Sequence, residues 1–450
     1  MKVKHGMDRR TLLKSSVGAV GSAFLAGAPT EAAATSVNTY SAPSELKITD
    51  MRACTVAANY DYPIIRIDTN QDVYGLGEVR DAGVKGIALI LKAHILGKNP
   101  LQIDSILAEI RQFAGQGRMG GGYSAVDMAL HDIAGKVYGV PAWRLIGEKK
   151  REKIRIYCDT TGHKDPKVYA QRMLARKKLG FTFFKMDLYT SLVADRPGAV
   201  HENGAATDKG LGYLCEYIAA VRDAIGWGTP LAADHFGELT VNDAIRYARA
   251  FEPYQLAWAE DLIDYRDWRG FKTISHATTT PTLTGEDAFG LEEGFQDLLD
   301  NRAVDIIQPD PETSGALRET KRIADYADLH GISTVLHFAG SPVGCMAAVH
   351  LAATLRNFIV MENHPVDMPW WQDLVTGVPK PIIQNGHITV PDTPGLGVEL
   401  NEPVVKEHLR YPGYFEPTSM YDDFIVSGFR RVGPWPHYDE DGKCVNAVTY

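Results

Sequence analysis

From residue 153 onward, short apolar segments and longer amphipathic ones alternate seven or eight times. Residues 154–158, 182–187, 231–234, 256–260, 282–285, 304–307, 333–336 and 358–361 have the length and apolar character of buried strands. Between them, stretches such as 242–251 and 315–330 place apolar side chains at helical spacing. Eight strands separated by helices predict an α/β fold, a (β/α)7β TIM-type barrel over residues 151–380. The competing arrangement is an open doubly wound sheet. No GxGxxG follows the first strand, so a dinucleotide fold gains no support.

The residues ahead of the barrel follow another pattern. Three strands are predicted at 46–58, 62–68 and 73–79, then a helical region over 84–113, a glycine-rich break at 115–122 and a helix over 123–140 that Gly139-Val140-Pro141 stops. This is an α+β capping domain over residues 41–150. Residues 381–450 are rich in Pro, Gly and aromatics and too polar to stand alone, so they are expected to pack back on the capping domain. Residues 1–40 read as a twin-arginine signal and linker: DRRTLLK at 8–14 leads into a modest apolar run at 16–28 and then small residues. That run is shorter than the roughly 20 residues a membrane-crossing helix needs. The expectation is a folded protein exported to the periplasm or medium without stable membrane association, and a disordered tail is the plainer alternative. A net charge of -9 argues against a nucleic-acid surface. The five cysteines lack CxxC spacing and read as buried small hydrophobes rather than disulfides or zinc ligands.

The chemistry concentrates at strand ends. Asp234 closes LAAD, Glu260 closes LAWAE and Glu286 follows LTG, with 26 residues between successive members. A barrel repeat takes about 30 residues, so three carboxylates are predicted on successive strands at the same end. Three hard oxygen donors suit Mg2+ better than zinc. Taken singly, each would read as an ordinary loop acid.

The chain resembles the enolase superfamily, in its mandelate racemase and muconate lactonizing enzyme branch. The resemblance rests on GLGE (75–78), SAVDMALHDIAGKVYGVP (124–141), LAAD, WAE, TGE, IIQPD (306–310), VLHF (335–338) and VMENH (360–364). It implies Mg2+ at Asp234, Glu260 and Glu286, a base dyad of Asp310 and His337, and Glu362 beside the substrate carboxylate. It also implies a barrel mouth covered by capping loops near 59–62 and 80–85, and an oligomeric protein. The family's KxK pattern is broken: FFKMDLYT keeps Lys185 but puts Asp187 at the second lysine's place. A racemase needs bases on both faces, so racemisation is disfavoured. Asp187 becomes a hydrogen-bonding or weakly basic group, and Lys185 supports the substrate carboxylate or the metal site, with a Lys185–Asp187 salt bridge as the bland alternative. Some sugar-acid dehydratases of the family carry a histidine two residues after the metal aspartate. Here His235 follows Asp234 directly and Phe236 takes that place, which leaves the role of His235 open. Residues 189–211 read as a lid or a solvated loop, with Tyr189 a candidate acid.

The function implied is Mg-dependent dehydration of an aldonate or aldarate to a 2-keto-3-deoxy acid, with a small sugar acid as partner. Epimerisation or cycloisomerisation through the same enediolate is the alternative within the family. A non-catalytic periplasmic sugar-acid binding protein is the alternative of another class. A sugar isomerase on an unrelated metal barrel is disfavoured, because it normally needs histidine among its ligands.

Overall fold

A computed structural model describes residues 45–237, 239–423 and 439–441. The twin-arginine segment and Cys444 lie outside the described residues. Three antiparallel strands, β1 (Ile48–Ala57), β2 (Asp61–Thr69) and β3 (Tyr74–Glu78), form the first sheet in the order β1-β2-β3. The helix Gly121–Tyr138 packs on this sheet and ends at Gly139 with φ 66°, the left-handed conformation that glycine adopts without penalty. Contact is close because β3 carries glycines there. A Cβ on Gly75 or Gly77 would lie 2.0 Å from the carbonyl oxygen of Ala129 or Ala125. The expected helical region over 84–113 is instead broken into Gly86–Leu89, Lys92–Ile95 and Ile103–Ile110. Gly97 takes φ 74° between the second and third pieces, and Pro100 follows, so no helix can run through.

The barrel strands are β4 (Lys153–Cys158), β5 (Phe184–Asp187), β6 (Leu231–Asp234), β7 (Ala259–Glu260), β8 (Thr282–Thr284), β9 (Ile306–Ile307), β10 (Ser333–Leu336) and β11 (Phe358–Asn363). Neighbours pair in parallel in sequence order, and β11 pairs with β4 through Met361↔Ile156, Glu362↔Tyr157 and Asn363↔Cys158. That last ladder closes the barrel and excludes the open sheet. Its interior is filled by Tyr157, Phe183, Ala232, Trp258, Leu283, Ile306, Val335 and Val360, one residue from each strand segment.

Polar side chains of the helix Gly121–Tyr138 join the capping domain to the barrel. Asp127 accepts from the backbone N–H of Leu317 (2.7 Å) and Ser124 Oγ from that of Gly315 (3.1 Å), at the start of the barrel helix Ala316–Leu329. A carboxylate there also meets the positive end of the helix dipole. Glu78, which ends β3, does the same for the helix Pro342–Thr354. It accepts from Ser341 N (2.8 Å), Ser341 Oγ (2.5 Å) and Gly344 N (2.9 Å).

The segment from 381 first meets the barrel. The strand His387–Thr389 lies antiparallel along β4, and only later does the chain reach the capping domain, where Leu396 N donates to Asp132 of the helix Gly121–Tyr138 (2.8 Å) and Arg410 pairs with Asp61 of β2. Three of the four described cysteines are buried and none is bonded to another. No helix among the described residues is long and apolar enough to cross a membrane.

Candidate active site

Side chains two residues apart on a strand point the same way. Counting two residues on from each interior residue gives Asp159, Lys185, Asp234, Glu260, Gly285, Gln308, His337 and Glu362. One polar layer therefore lies directly above the apolar filling, at the C-terminal ends of the strands, the face where barrels of this kind place their chemistry. Gly285 alone offers no side chain, and Glu286 follows it. Two residues further along β5, β9 and β11 stand Asp187, Asp310 and His364.

Lys185 occupies the centre, fully buried. Its ammonium lies 3.0 Å from Asp234 Oδ2, 3.0 Å from Glu260 Oε1 and 2.7 Å from Glu362 Oε1. The alternative pairing of Lys185 with Asp187 is not formed. Burial by itself would push the lysine down, but these carboxylates outweigh it and hold it well above its ordinary value. Glu362 is held well below the carboxylate range: burial opposes this, and Lys185, His337 and His364 overcome it. Glu260 goes the other way, pushed well up by burial and by the charge of Asp234, although Trp258 Nε1 donates to it at 2.8 Å.

His337 completes the second group. Its Nδ1 lies 2.5 Å from Asp310 Oδ2, which leaves Nε2 facing Glu286 Oε2 at 3.4 Å and Glu362 Oε2 at 3.6 Å. Burial lowers the imidazole pKa, but Glu286, Glu362 and Asp310 together raise it above the usual value. The same Asp310 oxygen also accepts from Arg80 at 2.6 Å, and Arg80 reaches Glu286 Oε1 at 3.1 Å. Arg80 is 2% exposed and comes from the loop after β3, in the capping domain. Glu286 is lowered as a result, His337 and Arg80 outweighing its burial.

A third group flanks Lys185 on the other side. Asp187 and Asp234 are register partners on β5 and β6. Asp187 is pushed up to about 9 by burial and by the neighbouring carboxyl of Asp159. Tyr189 donates to Asp187 Oδ2 (3.3 Å) and stacks on His235, their ring centroids 5.0 Å apart. His235 Nε2 stands 3.6 Å from Asp234 and 3.7 Å from Asp187, its side chain 45% exposed at the mouth. His364 bridges Glu362 (3.1 Å) and Asp159 (3.7 Å), and Glu362 lifts it to about 9 against the effect of burial.

Residues 168–404 match the enolase C-terminal domain-like family, and residues 30–147 match the mandelate racemase / muconate lactonizing enzyme N-terminal domain. The chain belongs to the enolase superfamily. Among similar proteins is a D-xylonate dehydratase of Haloferax volcanii, 34% identical over 378 residues that cover 81% of this chain and 89% of the relative. A mandelate racemase/muconate lactonizing enzyme-like protein from Rubrobacter xylanophilus superposes with a TM-score of 0.77 at 31% identity, covering 82% of this chain and 99% of the other. An enolase from Pantoea ananatis, solved with bound D-gluconate and Mg, superposes at 0.71 with 25% identity, covering 82% and 96%.

Members of this superfamily use Mg2+, and the residues present fit such an ion. Asp234, Glu260 and Glu286 supply hard oxygen donors. Three buried carboxylates, Asp234, Glu260 and Glu362, share the single ammonium of Lys185, which leaves negative charge for a cation to balance. Asp234, Glu260 and Glu286 are spread more widely than equal strand spacing suggests. Asp234 and Glu260 close on Lys185, while Glu286 turns to Arg80 and His337. The tightest donor groups among the described residues are His337–Glu362–His364 and Asp81–Asp310–His337.

All ten residues expected from the sequence thus stand at one end of the barrel. Arg80, Asp159 and His364 join them unforeseen. The two-residue count from the interior layer would have found Asp159, and a further step of two finds His364. Nothing local marks Arg80, whose partners lie 206 and 230 residues away. Within residues 189–211, a turn of helix at Thr190–Leu192 and the start of the helix Asp208–Ile225 flank an irregular segment that is exposed at 201–204. A cavity of about 280 Å³ opens there, lined by Tyr189, Asn203, His235 and Leu239. A cleft of about 1250 Å³ lies elsewhere, along Arg318–Leu329, and its charges pair internally, as Arg111 does with Glu293 at 2.7 Å.

Proposed function

We propose that the protein is an acid-sugar dehydratase, a hydro-lyase that converts a sugar acid to its 2-keto-3-deoxy product. The observation that carries this reading is the dyad: Asp310 fixes His337 Nδ1, and the free Nε2 faces the layer that holds Lys185 and Glu362. Similarity to a D-xylonate dehydratase, to a D-galactonate dehydratase family member of Musicola paradisiaca (29% identical) and to the gluconate- and Mg-bound structure supports it.

The C2 hydrogen of a carboxylate is a very weak acid, so its removal needs a positioned base and compensation for a second negative charge. When bound, Mg2+ at Asp234, Glu260 and Glu286 supplies electrostatic stabilisation of that charge. His337 Nε2 takes the C2 proton, and Asp310 and Arg80 keep the ring in place. Lys185 offsets negative charge on the substrate carboxylate. The imidazolium formed then returns its proton to the C3 hydroxyl, the C3–O bond breaks, and water and an enol leave; the enol tautomerises to the ketone. Asp187, in place of a second lysine, gives the opposite face no amine base, which favours elimination over racemisation or epimerisation.

Replacing His337 with Asn tests the assignment. Turnover, followed by semicarbazide detection of the 2-keto product, should fall by about 10³-fold or more, while Mg2+ affinity by calorimetry stays within a few-fold. Retained turnover would remove His337 as the base. Deuterium gained at C2 without loss of water would point to an epimerase. We also propose export by the twin-arginine route, on the strength of Arg9-Arg10 and the short apolar run after them.

A further inference from the structure

The acceptor oxygens opposite His337 indicate what the rest of the substrate must be. Asp187 is 5% exposed, yet its Oδ1 receives no hydrogen bond from the protein. Asp159 Oδ1 is likewise buried and receives no hydrogen bond from the protein. Leaving such atoms unsatisfied is costly, so a ligand or ordered water must donate to them. Even a proton shared between Asp159 and Asp187 leaves acceptor capacity over, because a carboxylate offers about four lone-pair sites. Asp187 accepts from Tyr189 (3.3 Å), whose ring lines the 280 Å³ cavity together with His235.

We propose that Asp159 and Asp187 form a subsite for the hydroxyl-bearing tail of the substrate, and that this subsite selects aldonates over aldarates. The proposal rests on the acid-sugar reading above and deepens it. A hydroxyl can donate to these oxygens. A second carboxylate cannot, since it is acceptor-only when ionised, and it would meet the negative charge that the pair keeps even when it shares one proton. His364, between Asp159 and Glu362, fixes the near edge of the subsite. Tyr60 of the capping domain packs edge-on against the His364 ring, centroids 5.9 Å apart, and covers it.

The test separates binding from turnover. In His337→Asn protein loaded with Mg2+, calorimetry should show D-gluconate and D-xylonate binding at least about 10-fold more tightly than glucarate and xylarate, the scale of one or two hydrogen bonds to charged groups. Adding Asp159→Asn should weaken the aldonates by a similar factor and narrow the gap, with the urea midpoint and Mg2+ affinity unchanged. In the wild-type background the same change should appear mainly in KM. Aldarates binding as tightly as aldonates would overturn the subsite, and so would aldonate affinity indifferent to Asp159→Asn. If the aldonates bind preferentially but the wild-type protein releases no ketone, the dehydratase reading fails and the subsite stands. The comparison of unmutated Asp159 protein across the four acids holds even if the Asn variant does not fold.

Discussion

Asp310 Oδ2 accepts from two side chains at once, Arg80 from the capping domain and His337 from the barrel. Cutting the guanidinium away would leave a buried carboxylate with one partner fewer and release Glu286 from its contact. Arg80→Met is therefore expected to lower kcat by about 10²-fold, comparable to losing one positioned group, while KM changes by less than about threefold. Partial rescue by guanidinium ion, read in kcat, would mark a positioning role. A loss of stability with kcat intact would reduce Arg80 to packing. At this scale the sequence is informative where chemistry coincides with a strand end. Asp234, Glu260, Asp310 and His337 each close an apolar run, so burial and position can be read together. The partners of Lys185 could not be read that way. Asp187 is its neighbour in sequence, but side chains at positions 185 and 187 climb the strand together, and the carboxylates that reach the ammonium come from adjacent strands.

Among the elements, β3 has the least freedom. Its alternate glycines let the helix Gly121–Tyr138 lie against the backbone, and its terminal Glu78 caps the helix Pro342–Thr354 across the domain boundary. Gly77→Ala would force a methyl to within 2.0 Å of the Ala125 carbonyl. Overpacking of this kind costs about 1–3 kcal/mol, and we expect urea unfolding to show a loss of that size. Activity should fall with it, because the strand's continuation carries Arg80. An unchanged midpoint would show that the helix can move away. Strand positions in the barrel follow from apolar runs, and observed ends fall within two or three residues of those expected. The region over 84–113 was less legible, because a helical composition there is overruled by the left-handed conformation of Gly97 and by the ring of Pro100.

For the whole molecule, the expectation concerns where it folds. Twin-arginine export carries folded cargo, and the described cysteines form no disulfide that would require an oxidising compartment. Exchanging Arg9 and Arg10 for lysine should leave the protein active and full-length in the cytoplasm, as fractionation and immunoblotting would show. Unaltered export would discard the signal. The sequence by itself determined the number and order of the barrel strands and the end at which the acids gather, because a two-residue side-chain period and a repeat of fixed length are local properties of the chain. Only the tertiary structure decided that Lys185 sits among three acids, that Arg80 reaches down from the cap, and that Asp159 faces Asp187. Those are meetings of residues far apart in the chain, and they exist only once the ladder between β11 and β4 has closed the ring and the cap has docked on it.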